Sequence, residues 1–241
     1  MSRIELIPIE GLPEVERAAD LAGLIAGAVA AQGDELRDRD VVVVTQKVVS
    51  KAEGAMAEVD PEDPLSHKPL VERESVRILR RRGDLIISET RHGFVCANAG
   101  IDLSNVARGQ AALLPEDPDR SARRIRDGLR ARAGAPVGVI VSDTFGRTWR
   151  RGVTDVAIGS AGLRPVLDLR GTEDAYGREL QVTEVAVVDE IAGAAELVMG
   201  KATGVPVAIV RGVQPEAFLD DGERAGVLTH LVRAPHEDLF R

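Results

Sequence analysis

The chain is poor in aromatic residues and almost without cysteine. Only 2% of its 241 residues are Phe, Trp or Tyr, so the core has to be built from Val, Leu, Ile and Ala. The single cysteine, Cys96, excludes an intrachain disulfide and favours a reducing, cytoplasmic setting. No signal-peptide pattern and no apolar run of membrane-spanning length is present. The net charge of −8 argues against generic binding to nucleic acid or to an anionic membrane.

Several standard motifs are also missing. The sequence has no G-x-x-x-x-G-K-[ST] phosphate loop, no G-x-G-x-x-G fingerprint and no G-x-S-x-G elbow. Its four histidines are scattered without ligand spacing, which favours surface or structural roles for them. Cys96 follows a predicted strand and is expected to be a buried, inert thiol. A P-loop NTPase is therefore not expected, and any nucleotide chemistry must rest on other loops.

The apolar pattern predicts strands and helices that interleave along the chain. Asp20 is expected to cap the first helix, and Gly200 stands at the expected end of the last long one. Because the elements lack a regular β-α-β rhythm, they predict a mixed α/β (α+β) fold rather than a simple doubly wound sheet. The predicted strands are 3–9, 41–45, 85–88, 94–97, 137–141 and 205–210, the shorter apolar segments 153–158 and 166–169, the helices 20–32, 70–82, 118–133 and 182–199, and the surface loop 56–70.

One stretch carries the strongest chemical signal. The apolar run 137–141 predicts a buried strand that ends at Ser142-Asp143-Thr144, and three arginines and the only tryptophan follow. In open α/β sheets, ligands gather just outside the carboxyl ends of strands. A carboxylate and a hydroxyl at such a point, with guanidinium groups beside them, suit a metal ion and an anionic substrate. A charged turn after a core strand explains the same residue types, and on residue types alone the two explanations stand about even.

Two further loops carry suitable polar groups after apolar strands. The first runs from Thr45 to Lys51, and the second from Asn98 to Asn105 and includes Asp102. Carboxylates together with hydroxyl and amide oxygens favour Mg²⁺ or Mn²⁺ over Zn²⁺, and a nearby lysine favours phosphate. The three loops together predict a metal–nucleotide site. Each aspartate taken singly is more often a turn former or a helix cap.

Taken together, the motifs resemble the coenzyme F420-0:L-glutamate ligase family. Individually several are weak, but they follow the family order over nearly the whole chain. The matching segments are Ile9-Glu-Gly-Leu-Pro13, 41–54 (VVVVTQKVVSKAEG), 98–105 (NAGIDLSN), 142–147 (SDTFGR), 151–155 (RGVTD), 171–177 (GTEDAYG) and 207–212 (VAIVRG).

The resemblance implies a GTP-dependent amide ligase that joins the amine of L-glutamate to the lactyl carboxylate of coenzyme F420-0 and then adds further γ-linked glutamate. GTP would phosphorylate the carboxylate, and GDP and phosphate would be released. By this resemblance Asp102 and Asp143 hold one divalent ion, Mg²⁺ or Mn²⁺, and Thr144 helps to hold a second. The implied GTP-lining residues are Leu12, Pro13, Glu14, Val15, Gln46, Lys51, Asn105, Met199, Gly200 and Gly204.

The family fold implied by the resemblance has two interleaved subdomains and forms an intertwined homodimer. It predicts a single ligase domain over residues 1–241 without the nitroreductase-like domain of some relatives, so the chain is expected to be a stand-alone enzyme or one domain of a longer protein. This sequence departs from the family pattern at Lys201, where archaeal members have an acid or an amide. The ligands of a second metal are therefore left open.

The arginines beside Asp143 have an expected role in binding the substrate, and two other functions are alternatives to a ligase. From their position and charge, Arg147 or Arg150 is expected to grip the phosphodiester or a carboxylate of the substrate. A metal-dependent nucleotide phosphohydrolase would use the same carboxylates with water as acceptor. A non-catalytic GTP-binding module would bind the nucleotide without turnover.

Overall fold

The computed structural model describes residues 3–220 and 222–238 of the chain. Residues 1–2, 221 and 239–241, which belong to the predicted domain 1–241, lie outside this description. The helices are α1 (Leu21–Ala31), α2 (Gln46–Glu53), α3 (Lys68–Glu74), α4 (Pro118–Ala133), α5 (Val187–Met199) and α6 (Val227–His230). The strands are β1 (Glu5–Pro8), β2 (Val41–Thr45), β3 (Met56–Glu58), β4 (Ser75–Arg82), β5 (Leu85–Thr90), β6 (Val95–Ala97), β7 (Gln110–Ala112), β8 (Gly138–Arg147), β9 (Arg150–Ala161), β10 (Leu167–Asp168), β11 (Glu184–Val185) and β12 (Val207–Arg211).

A five-stranded sheet forms the centre of the fold, in the order β1-β12-β2-β8-β9. The β2–β8 pair is parallel and the other neighbours are antiparallel. Residues 41–44 of β2 are completely buried. Because successive side chains of a strand point to opposite faces, both faces of the sheet must be covered at this strand. Helix α4 packs against β8 and β9, and α5 packs against β1, β9 and β12. The structure confirms the predicted mixed α/β class.

Smaller sheets lie beside this core. The order β4-β5-β6 makes a three-stranded sheet, and β3–β7 and β10–β11 make two-stranded pairs. A second, separate cluster of buried side chains, which includes Val71, Ile86 and Ile101, lies near them. Leu113 donates a backbone hydrogen bond to Ala55, which extends the β3–β7 pairing. Strand β6 contacts β8 of the central sheet, and β7 contacts α2.

Several sequence-based boundaries are confirmed. Helix α1 begins after Asp20, whose carboxylate accepts a hydrogen bond from the N–H of Gly23. Helix α4 spans the residues predicted for it, Pro118–Ala133, with Asp117 as its N-cap. Gly200 follows α5 as its C-cap. Capping residues are local signals, so the sequence alone fixes these boundaries well.

Other boundaries were wrong. The helix predicted over 70–82 ends at Glu74, and residues 75–82 form β4, because they pair with β5. Arg80–Arg82 are exposed and lie on this strand, not on a helix. The helix predicted from 182 begins only at Val187. The loop predicted over 56–70 contains β3 and the start of α3. Partners distant in the sequence decide each of these segments, and local propensity does not show them.

The strand predicted to stop at Ser142 does not stop there. Strand β8 continues to Arg147 because β9 pairs with it along its whole length, so Ser142, Asp143 and Thr144 are strand residues. The register shifts between Val141 and Ser142, which indicates a bulge. Bulges re-aim side chains next to functional sites. The polar triplet therefore lies on a strand at the sheet centre, and Gly146 precedes the exposed tip of the β8–β9 hairpin.

Candidate functional site

A cavity of about 660 Å³ opens at the carboxyl ends of the parallel strands β2 and β8. Its size is within the range of ~300–1,000 Å³ that is usual for ligand sites. Six parts of the chain line it: residues 12–15 before α1, the β2–α2 junction, residues 105–107, residues 142–144 of β8, Asp155 of β9, and the end of α5 with the segment that follows it. The predicted residues that line it are Leu12, Pro13, Glu14, Val15, Gln46, Lys51, Asn105, Asp143, Thr144, Gly200 and Gly204.

Asp102 lies beside this cavity and is held by hydrogen bonds. Lys47 Nζ is 2.8 Å from Asp102 Oδ2 and also donates to Ser104 Oγ at 2.8 Å. The N–H of Ser104 donates to Asp102 Oδ1 at 2.7 Å. Burial would raise the pKa of Asp102, but the hydrogen bonds from Lys47 and Ser104 hold it below its usual 3.8. Asp102 is thus ionised at neutral pH.

The backbone before Asp102 is unusual. Asn98, Ala99 and Gly100 have φ values of 50°, 52° and 71°, so three successive residues adopt the left-handed region. Non-glycine residues rarely adopt it, and such strain is found at functional sites. The Asn98 side chain holds the turn, because its Oδ1 accepts hydrogen bonds from Lys68 Nζ and from the N–H of Ile86. The turn places Asp102 next to β7, where the backbone N–H and C=O groups of Asp102 and Ala112 form a reciprocal pair of hydrogen bonds.

Asp143 differs from Asp102 because it lacks a salt-bridge partner within the described part of the chain. Burial raises the pKa of Asp143 to about 7, the N–H of Thr144 opposes this, and the charges of Asp102 and Asp155 raise it further. The charge of Lys47 lowers it only in part, and a partly buried carboxylate that lacks an ion-pair partner costs free energy. The position of Asp143 therefore favours a bound cation.

A third group joins the β8–β9 pair to the end of α5. Thr144 lies opposite Asp155 in the strand register, and Thr144 Oγ1 donates to Asp155 Oδ1 at 2.7 Å. Lys201 Nζ is 2.6 Å from Asp155 Oδ1, 2.9 Å from Glu196 Oε1 and 2.5 Å from Thr144 Oγ1. Only 2% of the Asp155 side chain is exposed, so this ion pair neutralises a buried charge.

The other wall of the cavity presents a lysine and a buried amide. Lys51 Nζ is 2.5 Å from Glu14 Oε1, and 16% of the Lys51 side chain is exposed. Gln46 is buried, and its Nε2 donates to Ser50 Oγ and to the carbonyl of Leu113. Gln46 Oε1 has no hydrogen-bond partner among the described residues. An ammonium group and an unsatisfied amide oxygen are suitable contacts for a phosphate and for a donor group of a ligand.

Four predicted site residues are not among those that line the cavity. One of them is Asp102, which lies beside it. Met199 is completely buried in the core, so its side chain is not available to a ligand. Arg147 and Arg150 lie at the exposed tip of the β8–β9 hairpin, and Arg147 Nη2 donates to the carbonyl of Arg151. Neither arginine lines the cavity. Their role in binding a substrate anion stays a prediction.

Four charged residues of the cavity were not predicted as site residues: Lys47, Asp155, Glu196 and Lys201. Asp155 belongs to a recognised segment, but its contact with Thr144 follows from a register that the sequence does not show. Glu196 lies on the last turn of α5, and nothing in the local sequence distinguishes it from other helix acids. Lys47 stands next to Gln46 in a predicted loop, and its position on α2 brings it to Asp102.

The donors at Asp102 and Asp143 fit a divalent metal that also binds phosphate. Residues 3–220 and 222–238 contain no group of three His, Cys, Asp or Glu side chains placed to hold a metal. Mg²⁺ usually takes one or two carboxylates and completes its shell with water and substrate phosphate oxygens. Asp102 and Asp143 supply that number. The Lys47 ammonium contacts only Asp102 of this pair, whereas the Lys201 ammonium contacts Thr144, Asp155 and Glu196 together, so that cluster fits a second metal poorly.

Comparisons with known proteins give one consistent family. A family profile described as F420-0:Gamma-glutamyl ligase matches residues 11–212. A relative from Methanothermobacter thermautotrophicus, named Coenzyme F420:L-glutamate ligase, is 46% identical over 99% of both chains. A relative of the same name from Methanopyrus kandleri is 45% identical over 99% of this chain and 97% of its own length. Another, from Methanocaldococcus jannaschii, is 38% identical over 86% of both chains. Within the described residues, no helix is both long and apolar enough to cross a membrane.

Proposed function

Since the chain belongs to the F420-0:gamma-glutamyl ligase family, we propose that it joins L-glutamate to coenzyme F420-0 in a GTP- and metal-dependent reaction. Further glutamates would then be added through γ-linked amide bonds. A cytoplasmic location is part of this proposal, and the single buried cysteine is consistent with a reducing compartment.

The observation that carries the proposal is the meeting of distant segments in one cavity. Residues 12–15, 46–51, 105–107, 142–144 and 200–206 are far apart in sequence, yet each contributes to the same wall or floor. Most of these segments belong to the motifs that resemble the ligase family. A chance set of turn-forming aspartates would not converge in this way.

GTP would lie along the wall that Lys51 and Gln46 form. Lys51 would contact a phosphate, after exchanging its ion pair with Glu14. Gln46 Oε1, which lacks a protein donor, would accept a hydrogen bond from the nucleotide. Asn105, with φ of 53°, holds a turn at the same edge of the cavity.

The reaction needs activation because a carboxylate and an ammonium do not condense in water. The γ-phosphoryl group of GTP would pass to a carboxylate oxygen of F420-0, which forms an acyl phosphate and releases GDP. The free amine of glutamate would then attack the acyl carbon, the C–O bond to phosphate would break, and the amine would lose a proton. The products are the amide, GDP and phosphate. Positioning of the two substrates supplies much of the rate.

Asp102 and Asp143 would hold the divalent ion, Mg²⁺ or Mn²⁺. When bound, such an ion neutralises phosphate charge as it develops. Lys47 orients Asp102 through the 2.8 Å contact and keeps it ionised. The hydrogen bond from Thr144 to Asp155 fixes the strand position next to Asp143. Neither aspartate is required to accept a proton from the substrate.

A homodimer is also part of the proposal. Strand β4 is exposed along nearly its whole length and includes the apolar residues Val76, Ile78 and Leu79, which are 69%, 37% and 41% exposed. Leu85 and Val95 of the neighbouring strands are 42% exposed each. An exposed apolar edge of this kind is usually covered by a partner. The hairpin tip with Arg147 and Arg150 is exposed in the single chain, and its proposed role remains to bind a substrate anion.

The deciding experiment is incubation of the protein with F420-0, GTP, Mn²⁺ and glutamate, followed by mass analysis of the product. Addition of one or more glutamyl residues, together with GDP release that requires glutamate, supports the ligase. GDP release without glutamate indicates a phosphohydrolase instead. Binding of GTP without any turnover indicates a regulatory module.

A further inference from the structure

Lys201 holds a position that its contacts define closely. It follows Gly200, the residue that ends α5, and its ammonium touches the side chains of Asp155, Glu196 and Thr144. The three distances are 2.6, 2.9 and 2.5 Å. An ammonium group has three N–H donors and no acceptor. All three donors are therefore used within the protein, and none is left for a nucleotide phosphate.

The carboxylates of Asp155 and Glu196 need a positive charge beside them. Asp155 is 2% exposed and Glu196 is 18% exposed, so both carboxylates are largely removed from water. Ser142 Oγ donates to the other oxygen of Asp155 at 3.2 Å, so that carboxylate has protein partners on both sides. Buried carboxylates are retained in proteins when they are paired or when they bind a metal. Lys201 supplies the pairing.

The neighbouring carboxylate shows the contrast. Asp143 lines the same cavity and forms no ion pair with any residue of the described ranges. An ammonium thus neutralises Asp155, whereas no cationic side chain among the described residues forms an ion pair with Asp143. A divalent ion bound to Thr144 Oγ1 and Asp155 Oδ1 would meet the Lys201 ammonium on the same oxygen atoms, at a distance where like charges repel strongly.

We propose that the Lys201 ammonium permanently occupies the cation position of the cluster of Asp155, Glu196 and Thr144. The cavity as a whole therefore binds one divalent ion per chain, at Asp102 and Asp143, and not two. The proposal rests on the metal dependence proposed above. Its chemical consequence is that the divalent ion bound at Asp102 and Asp143 faces a fixed monovalent charge across the cavity.

The test is the number of Mn²⁺ ions bound per chain. The whole chain is dialysed against Mn²⁺ with a non-hydrolysable imido analogue of GTP, and the retained metal, nucleotide and protein are measured. Wild-type protein is expected to retain one Mn²⁺ per chain. Lys201→Gln removes the charge and supplies an amide oxygen, so it is expected to retain two. Lys201→Arg keeps the positive charge and serves as the matched control, with one Mn²⁺ expected.

Electron paramagnetic resonance gives a second readout that does not depend on activity. Two Mn²⁺ ions in one site lie about 3.5–4 Å apart and interact magnetically. The coupled spectrum is expected for Lys201→Gln only. If that variant does not fold, as judged by circular dichroism, one Mn²⁺ per wild-type chain supports the inference and two overturn it.

The outcomes separate this inference from the proposed function. Two Mn²⁺ per wild-type chain, with glutamate-dependent GDP release intact, overturn the inference alone. One Mn²⁺ in both the wild type and a folded Lys201→Gln protein also overturns it, because the ammonium would then not stand in for a cation. Absence of bound Mn²⁺ overturns the inference, and if glutamate is not incorporated either, the ligase proposal is overturned with it.

Discussion

Asp119 is a buried carboxylate whose substitution should cost much of the stability of the fold. It lies in the first turn of α4 and is 5% exposed. Its Oδ1 accepts hydrogen bonds from the N–H groups of Ser160 and Val227 at 2.8 and 2.9 Å, and its Oδ2 accepts from Leu228 at 3.0 Å. One carboxylate thus joins α4 to β9 and caps α6 from outside that helix.

The size of the effect follows from the donors that Asp119→Ala would strand. Ser160 and Val227 are at most 1% exposed, so water has little access to their N–H groups. A buried donor left without a partner costs ~1–3 kcal/mol, which gives about 2–6 kcal/mol for the pair. That is a large share of the ~5–15 kcal/mol by which a domain is usually stable. At ~2–4 °C per kcal/mol, the midpoint of thermal unfolding should fall by roughly 10 °C.

Urea unfolding followed by far-ultraviolet circular dichroism measures this loss. Asp119→Asn keeps one acceptor oxygen and should lose less than the alanine variant. Asp127→Ala is the control on the same helix, since Asp127 is 65% exposed and pairs only with its neighbour Arg126; it should change stability by no more than ~0.5 kcal/mol. If Asp119→Ala unfolds within that margin of Asp127→Ala, the argument from stranded donors is refuted.

Four further results are expected. Asp143→Asn should lower the ligase rate roughly a hundredfold or more, because one charged metal ligand is lost; near-normal turnover would contradict its assignment. Gly159→Ala should lower the melting temperature, since a Cβ there would lie 2.3 Å from the backbone of Pro118, whereas Gly146→Ala meets no atom within 4 Å and should not; equal melting temperatures would exclude the clash. The hydrogen bond from the N–H of Glu35 and the charge of Arg211 outweigh burial and lower the pKa of Asp34 below its usual 3.8, so its contribution to stability is present above that pH and is lost as the pH falls through the lower folded value. The difference in unfolding free energy between wild type and Asp34→Asn should therefore vanish over that acid range. A difference that stays constant down to the acid limit would refute this linkage. Leu79→Lys should convert the proposed dimer to a monomer in light scattering, and an unchanged mass would show that β4 is not the interface.

The sequence identifies some parts of this fold well because their signals are local. The cap at Asp20, the C-cap at Gly200 and the bounds of α4 each depend on residues next to the element. Strand β4 shows the opposite case. Its arginine-rich residues suit an exposed helix as well as an exposed strand, and only the partner β5 decides between them.

The residues of the site also fall into those with a local sequence signal and those placed by distant partners. The apolar runs of β2 and β8 and the polar residues that follow them are visible in the sequence, so Gln46, Lys51 and Asp143 could be named as candidates. The salt bridges of Lys47 with Asp102 and of Lys201 with Asp155 join residues 55 and 46 positions apart, and they depend on topology. The arginines beside Asp143 are close to it in sequence, but the extended hairpin carries them away from the cavity.

The same hairpin has a consequence for how this protein can be observed. Trp149, its only tryptophan, is 82% exposed at the tip, so its indole is already in water in the folded chain. Its intrinsic fluorescence should therefore change little when the core melts, and an emission curve would make a cooperative transition look almost flat. The same indole is well placed as a built-in optical probe of the tip: a blue shift on adding a second chain or a large anionic substrate would report contact at that point, with no label attached.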